Sequence, residues 1–199
     1  MKKRVFIIHG WEGFPEEGWF PWLKRELENR GFDVYVPQMP DAAYPRIKNW
    51  LPAIEKIVDN PDKNTYFVGH SMGVQAIIRY LETLPENKKI GGAIFVAGFF
   101  KRLTGLGEEP DYEETEKDWL KTPINLSKVK NHMSNSVAIF SDNDPFVPSD
   151  NQGDFRDKLK SKIIIKHEMG HFSGPSDNIT ELPVVLEELL KISFYPRTK

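Results

Sequence analysis

Short apolar runs alternate along this chain with longer stretches in which apolar residues recur at helical spacing. Residues 4–8, 33–36, 65–68, 92–97, 136–141 and 162–166 are brief runs rich in Val, Ile, Phe and Ala. Polar or turn-forming residues bound each run, which predicts six β-strands. Residues 19–30 predict a helix stopped by Gly31 in the favoured C-terminal position. Ile47, Trp50, Leu51, Ile54, Ile57 and Val58 form a stripe on one helical face. Pro52 falls inside that stripe, which predicts either a kink or a helix that starts there. Residues 74–81 predict a helix that ends before Pro85. Residues 178–192 predict a closing helix with Asp177 or Asn178 as N-cap.

Strands alternating with helices imply right-handed βαβ crossovers and a parallel sheet covered on both faces. The strands are near-continuous apolar runs, as burial on both faces requires. The sequence shows no internal repeat, low-complexity segment or linker, so residues 1–199 read as one α/β domain. One stretch breaks the rhythm. Residues 99–133, between the fourth and fifth strands, are long for a crossover. They carry Glu108, Glu109, Asp111, Glu113, Glu114, Glu116 and Asp118 beside Tyr112 and Trp119. This insertion reads either as a solvated acidic helix or as a small cap over a pocket.

Composition narrows the function classes. The chain has 199 residues, enough for a continuous core, and its net charge of −2 gives no electrostatic case for nucleic acid. No apolar run approaches the length of a membrane span. Met1-Lys2-Lys3-Arg4 followed by Val5-Phe6-Ile7-Ile8 imitates an export signal. The apolar stretch is too short for one, so a buried first strand and a cytoplasmic location are expected. Cysteine is absent, which excludes a cysteine nucleophile and thiolate metal sites.

Gly69-His70-Ser71-Met72-Gly73 fits Gly-x-Ser-x-Gly, the turn that presents a nucleophilic serine between a strand and a helix. Small residues two places before and two after the serine let strand, turn and helix pass closely. A serine hydroxyl needs a base to take its proton, and the base needs a third group to orient it. On this fold the partners follow in the order Ser, Asp or Glu, His, each on a loop after a strand. After the fifth strand comes Ser141-Asp142-Asn143-Asp144-Pro145, in which Asp144 is the candidate acid and Asp142 the runner-up. After the sixth comes His167-Glu168-Met169-Gly170-His171, in which His171 is the candidate base. His167 abuts the strand and reads as structural.

The negative charge formed during acyl transfer requires N–H donors. The backbone of Met72, after the nucleophile, and of Trp11, in the His9-Gly10-Trp11 loop, are the expected pair. His9 and Phe14 are candidate pocket residues, although a buried, hydrogen-bonded His9 is the blander reading. Most of the aromatics Trp11, Phe14, Trp19, Phe20 and Trp22 are expected in the core, with Trp11 or Phe14 as walls of an apolar acyl pocket. His70 is given no catalytic role, and His132 reads as a surface or cap residue.

A rival motif overlaps the base. His167-Glu168-Met169-Gly170-His171 matches His-Glu-x-x-His, in which two histidines on one helical face bind zinc. Here the match follows the β-branched run Ile163-Ile164-Ile165 and contains Gly170. Neither favours a helix, and no further histidine follows. No metal and no cofactor are expected.

These residues together resemble the small serine hydrolases of the α/β-hydrolase superfamily. More narrowly, the chain resembles the YdeN group related to retinoblastoma-binding protein nine. Phe6-Ile7-Ile8-His9-Gly10, Trp19-Phe20-Pro21-Trp22-Leu23-Lys24, Asn64-Thr65-Tyr66 before the elbow, and Gly170-His171-Phe172 carry the resemblance. It implies a three-layer fold with a compact six-stranded parallel sheet lacking the usual first two strands. It also implies a triad on Ser71, Asp144 and His171, and hydrolysis of carboxylic esters. The expected partner is a small acyl substrate, with neither nucleic acid nor membrane. The same residues allow a thioesterase, acyltransferase or peptidase. A protein-binding module on a hydrolase fold, with the acidic insertion as its contact surface, is the reading from another class.

Overall fold

The computed structural model of the chain describes residues 2–106 and 110–194, so Glu108 and Glu109 of the acidic insertion lie outside the described residues. The strands are β1 (Arg4–Ile8), β2 (Asp33–Tyr35), β3 (Thr65–His70), β4 (Gly92–Val96), β5 (Ser136–Ser141) and β6 (Lys162–Lys166). The helices are α1 (Phe20–Glu28), α2 (Ile47–Val58), α3 (Met72–Thr83), α4 (Pro110–Lys121), α5 (Leu126–His132), α6 (Gln152–Asp157), α7 (Gly174–Asp177) and α8 (Pro183–Phe194). All neighbouring strands are parallel, in the order β2-β1-β3-β4-β5-β6. The strand order reverses direction between β1 and β3. The loops leaving those two strands therefore flank a crevice at the carboxyl edge of the sheet, where open α/β sheets place their ligands.

Side-chain alternation sorts the helices onto two faces. Tyr66 lies opposite Gly92, and Phe67 opposite Ala93. Phe67 packs on Tyr80 of α3 with ring centroids 5.8 Å apart. A Cβ on Gly92 would meet Ile192 of α8 at 2.9 Å. Successive strand residues point to opposite faces, so α3 and α8 cover opposite sides. Helices α2 and α5 pack beside α3, and α1 packs beside α8. Strands β3 and β4 are buried along their whole length, the physical origin of their unbroken apolar runs. No helix among the described residues is long and apolar enough to cross a membrane.

The structure corrects several local expectations. Helix α2 begins at Ile47 and continues through Pro52 rather than starting there. The Asp118 carboxylate, 71 residues away, accepts the Ile47 N–H at 2.9 Å and supplies a cap that local sequence does not contain. The closing helix begins at Pro183, not near residue 178. Asn178 adopts a left-handed conformation (φ 55°) that ends the short helix α7, and proline then opens α8. His132 is buried rather than on the surface, and its Nδ1–H donates to the Lys88 carbonyl at 2.8 Å.

The insertion contains helices α4 and α5, and α4 is two-sided. Glu113 and Glu114 are exposed. Trp119 is fully buried and donates its indole N–H to the Pro45 carbonyl at 2.9 Å. Arg79 is buried beneath this helix, with its guanidinium on the Trp119 and Thr122 carbonyls, and burial lowers its pKa to about 10.

Candidate active site

The turn after β3 is strained in the way a presented nucleophile requires. Ser71 has φ 51° and ψ −118°, a region that costs a non-glycine residue roughly 1–3 kcal/mol. Its neighbours leave no room for larger side chains. A Cβ on Gly69 would lie 2.8 Å from Ile77 Cδ1 and 2.9 Å from Val74 Cα. One on Gly73 would collide with the carbonyl oxygens of Ile8 and His9. The Ser71 N–H is tied to the Val96 carbonyl at 2.9 Å, fixing the turn to the end of β4.

Asp144 and His171 meet at the ends of β5 and β6. His171 Nδ1 lies 3.0 and 2.9 Å from the two carboxylate oxygens of Asp144. A carboxylate only accepts, so Nδ1 carries the proton and Nε2 is free to accept one. The Asp144 side chain is almost fully buried, and its Oδ1 also accepts the N–H groups of Phe146 at 2.9 Å and Val147 at 3.0 Å. The other candidate acid, Asp142, is exposed and pairs with the exposed His167 at 2.7 Å. The Glu168 N–H and His167 hold the Asp142 carboxyl below its usual pKa. The His-Glu-x-x-His match thus falls on a turn, not a helix, and its two imidazoles go to different carboxylates.

Every backbone N–H of the loop that carries the base has an acceptor. The Glu168 N–H donates to Asp142, that of Met169 to Ser141 Oγ, and that of Gly170 to Asn143 Oδ1. Asp177 Oδ2 takes both His171 N–H at 2.8 Å and Ser173 N–H at 2.9 Å, and Phe172 N–H turns back to Met169. From the opposite strand end, His70 Nε2–H donates to the His171 carbonyl at 2.7 Å, and the two rings lie 5.0 Å apart. Burial lowers the pKa of His70 to about 3, so it stays neutral. His70, given no role from sequence, therefore braces the base. Its contact spans 101 residues, and no local pattern announces it.

Ser71 and His171 open into one cavity of about 320 Å³, a size suited to a small ligand. Trp11 and Met72 line the same cavity. The Met72 N–H is the first of α3, where no intrahelical acceptor exists. Gly10 brings the Trp11 loop against the nucleophile, since a Cβ there would lie 3.1 Å from Ser71 Cβ. His9 and Phe14, expected in the pocket, are not in its lining. His9 is fully buried, donating Nδ1–H to the Gly10 carbonyl at 2.8 Å and accepting the Met39 N–H on Nε2 at 3.0 Å. Phe14 is turned outward and exposed. The wall is supplied instead by Trp11, Phe99, Leu103, Leu106, Tyr112 and Phe146. Phe99, Leu103, Leu106 and Tyr112 come from the insertion. Its Tyr112 ring lies 4.9 Å from that of Trp11, tilted by 44°.

A parallel sheet in this order, with a serine on a strained turn after β3 and an acid and a histidine meeting after β5 and β6, defines an α/β-hydrolase. The sequence profile of the serine hydrolase family matches residues 5–189, and the chain belongs to that family. It is 32% identical over 189 residues to the putative hydrolase YdeN of Bacillus subtilis (strain 168), covering 95% of each chain. It is 30% identical over 158 residues to the serine hydrolase RBBP9 of Rattus norvegicus, covering 79% of each. The crystal structure of the ydeN gene product superposes with a TM-score of 0.86 at 30% identity, covering 96% of this chain and 98% of that one.

Proposed function

We propose that the protein hydrolyses carboxylic esters through an acyl-enzyme formed on Ser71. The observation that carries this reading is the His171–Asp144 pair, in which Nδ1 is turned onto the carboxylate and His171 faces the same cavity as the strained Ser71. Ser71 Oγ attacks the ester carbon while its proton passes to His171 Nε2. The Trp11 and Met72 N–H groups stabilise the resulting oxyanion, a contribution of roughly a hundred- to a thousandfold per donor. His171 then gives its proton to the departing alcohol oxygen, and the C–O bond to the alcohol breaks. Water, deprotonated by the same imidazole, releases the acid and restores Ser71. Asp144 holds the tautomer throughout.

A fluorophosphonate probe tests the nucleophile directly. Covalent capture at Ser71 is expected, together with turnover of an activated ester that falls on the order of a millionfold in Ser71→Ala. Folded protein that is neither labelled nor active would overturn the hydrolase reading in favour of a binding role.

A further inference from the structure

The cavity lining is electrostatically one-sided. Among the described residues it contains two carboxylates, Glu12 and Glu17, and no lysine or arginine. Glu17 is the more enclosed of the two. Its carboxylate lines the cavity together with His171 and Ser173, and burial pushes its pKa up while the Phe14 backbone, His171 and Ser173 pull it the other way. Among the described residues no cation pairs with it. A partly buried carboxylate without a counter-ion is costly, and a bound cation relieves that cost.

The chemistry of the base says which part of the substrate passes Glu17. His171 must reach the leaving oxygen to protonate it, so the alcohol departs on the side of His171. Ser173 and Ser176 follow His171 in the chain, and Glu17 lines the cavity with all three. The apolar wall of Trp11, Phe99, Leu103 and Phe146 is left for the acyl chain.

Building on the ester-hydrolase reading, we propose that Glu17 is a specificity residue. It selects esters of an apolar acid with an alcohol that carries a protonated amine. The ammonium N–H bonds the Glu17 carboxylate while the ester carbonyl sits at Ser71. Nothing in the acylation chemistry changes. The same C–O bond breaks, and the same proton goes from Ser71 through His171 to the leaving oxygen.

The test compares two butyrate esters of equal shape, the 2-(dimethylamino)ethyl ester, cationic at neutral pH, and the neutral 3-methylbutyl ester. For the wild-type protein kcat/KM should favour the cationic ester by roughly tenfold to a hundredfold, the range of a hydrogen bond to a charged group. The ratio should approach one in Glu17→Gln and invert in Glu17→Lys. A wild-type ratio near or below one would overturn the proposal without any variant. So would an unchanged ratio in Glu17→Gln whose Ser71 still takes the fluorophosphonate. Turnover of the neutral ester without preference sinks only the role of Glu17. Failure of both esters together with failure of labelling sinks the hydrolase reading as well.

Discussion

Two segments bound the cavity at Ser71, and they are held in different ways. The base loop, residues 168–173, is fixed at its backbone, with all six N–H groups satisfied and two carbonyls held by His70 and Trp19. The insertion is tied at scattered points, among them the Thr104 N–H on the Phe146 carbonyl at 2.9 Å and Arg46 on Glu114 at 2.8 Å. Asn151 binds the backbone at Phe100 and Lys101, and Trp119 and Arg79 anchor the far side. It meets the cavity through the side chains of Phe99, Leu103, Leu106 and Tyr112. A proton-transfer group must be placed within fractions of an ångström, which backbone hydrogen bonds achieve. A substrate wall needs only shape, which side chains supply and substitution can retune. Changes on the base side should therefore reach the rate, and changes on the wall should reach preference.

The largest expected effect along this divide is at Asp144. Asp144→Asn keeps the size of the side chain but lets Nδ1 lose its proton to the other ring nitrogen. It should lower kcat on the order of ten-thousandfold with KM little changed. A loss confined to KM would show that Asp144 binds substrate rather than orienting the base.

The brace behind the base gives a smaller effect with a pH signature. His70 has a folded pKa of about 3 against an unfolded value of 6.5, and burial lowers that of His9 as well. Between about pH 6.5 and pH 3 the unfolded chain binds the extra proton. The stability that a neutral His70 confers is therefore complete above pH 6.5 and is lost as pH falls towards 3, at about 1.4 kcal/mol per pH unit, and His9 acts in the same direction. His70→Phe removes one of the two contributions and the donor to the His171 carbonyl, costing roughly 1–3 kcal/mol at neutral pH. Urea midpoints at pH 7.5 and pH 4.5 should thus show a lower but flatter profile in the variant. A profile as steep as that of the wild type would mean that His70 does not stay neutral.

The smallest effect separates wall from surface. Trp11→Ala should shift acyl-chain preference by several fold, the scale of a lost apolar contact. Phe14→Ala should leave it unchanged, because Phe14 lies outside the cavity. Equal shifts in a chain-length series would erase the distinction between the two residues.

The strands were legible because alternation of apolar runs is a local consequence of burial. The predicted bounds of β1, β5 and β6 agree with those observed. Ser71 was legible as a candidate for a similar reason, since the close approach at Gly69 and Gly73 is written within five residues. Asp144 was harder to separate from Asp142. The two carboxylates stand two residues apart, and only the fold turns one inward to His171 and leaves the other in solvent with His167. The start of α2 depended on Asp118, and the role of Asp177 at the base loop was misread as a helix cap. His9, Phe14 and Glu17 lie within nine residues of one another, yet one is core, one is surface and one enters the cavity.

By itself, then, the sequence determined the order of strands and helices, the turn that exposes Ser71, and the order of chemistry-bearing residues. Each is set by sterics and periodicity over a few neighbouring positions. Only the tertiary structure decided which carboxylate meets the base, what braces it, and which side chains face the substrate. Those depend on contacts spanning up to 153 residues, and no local pattern encodes which distant group arrives.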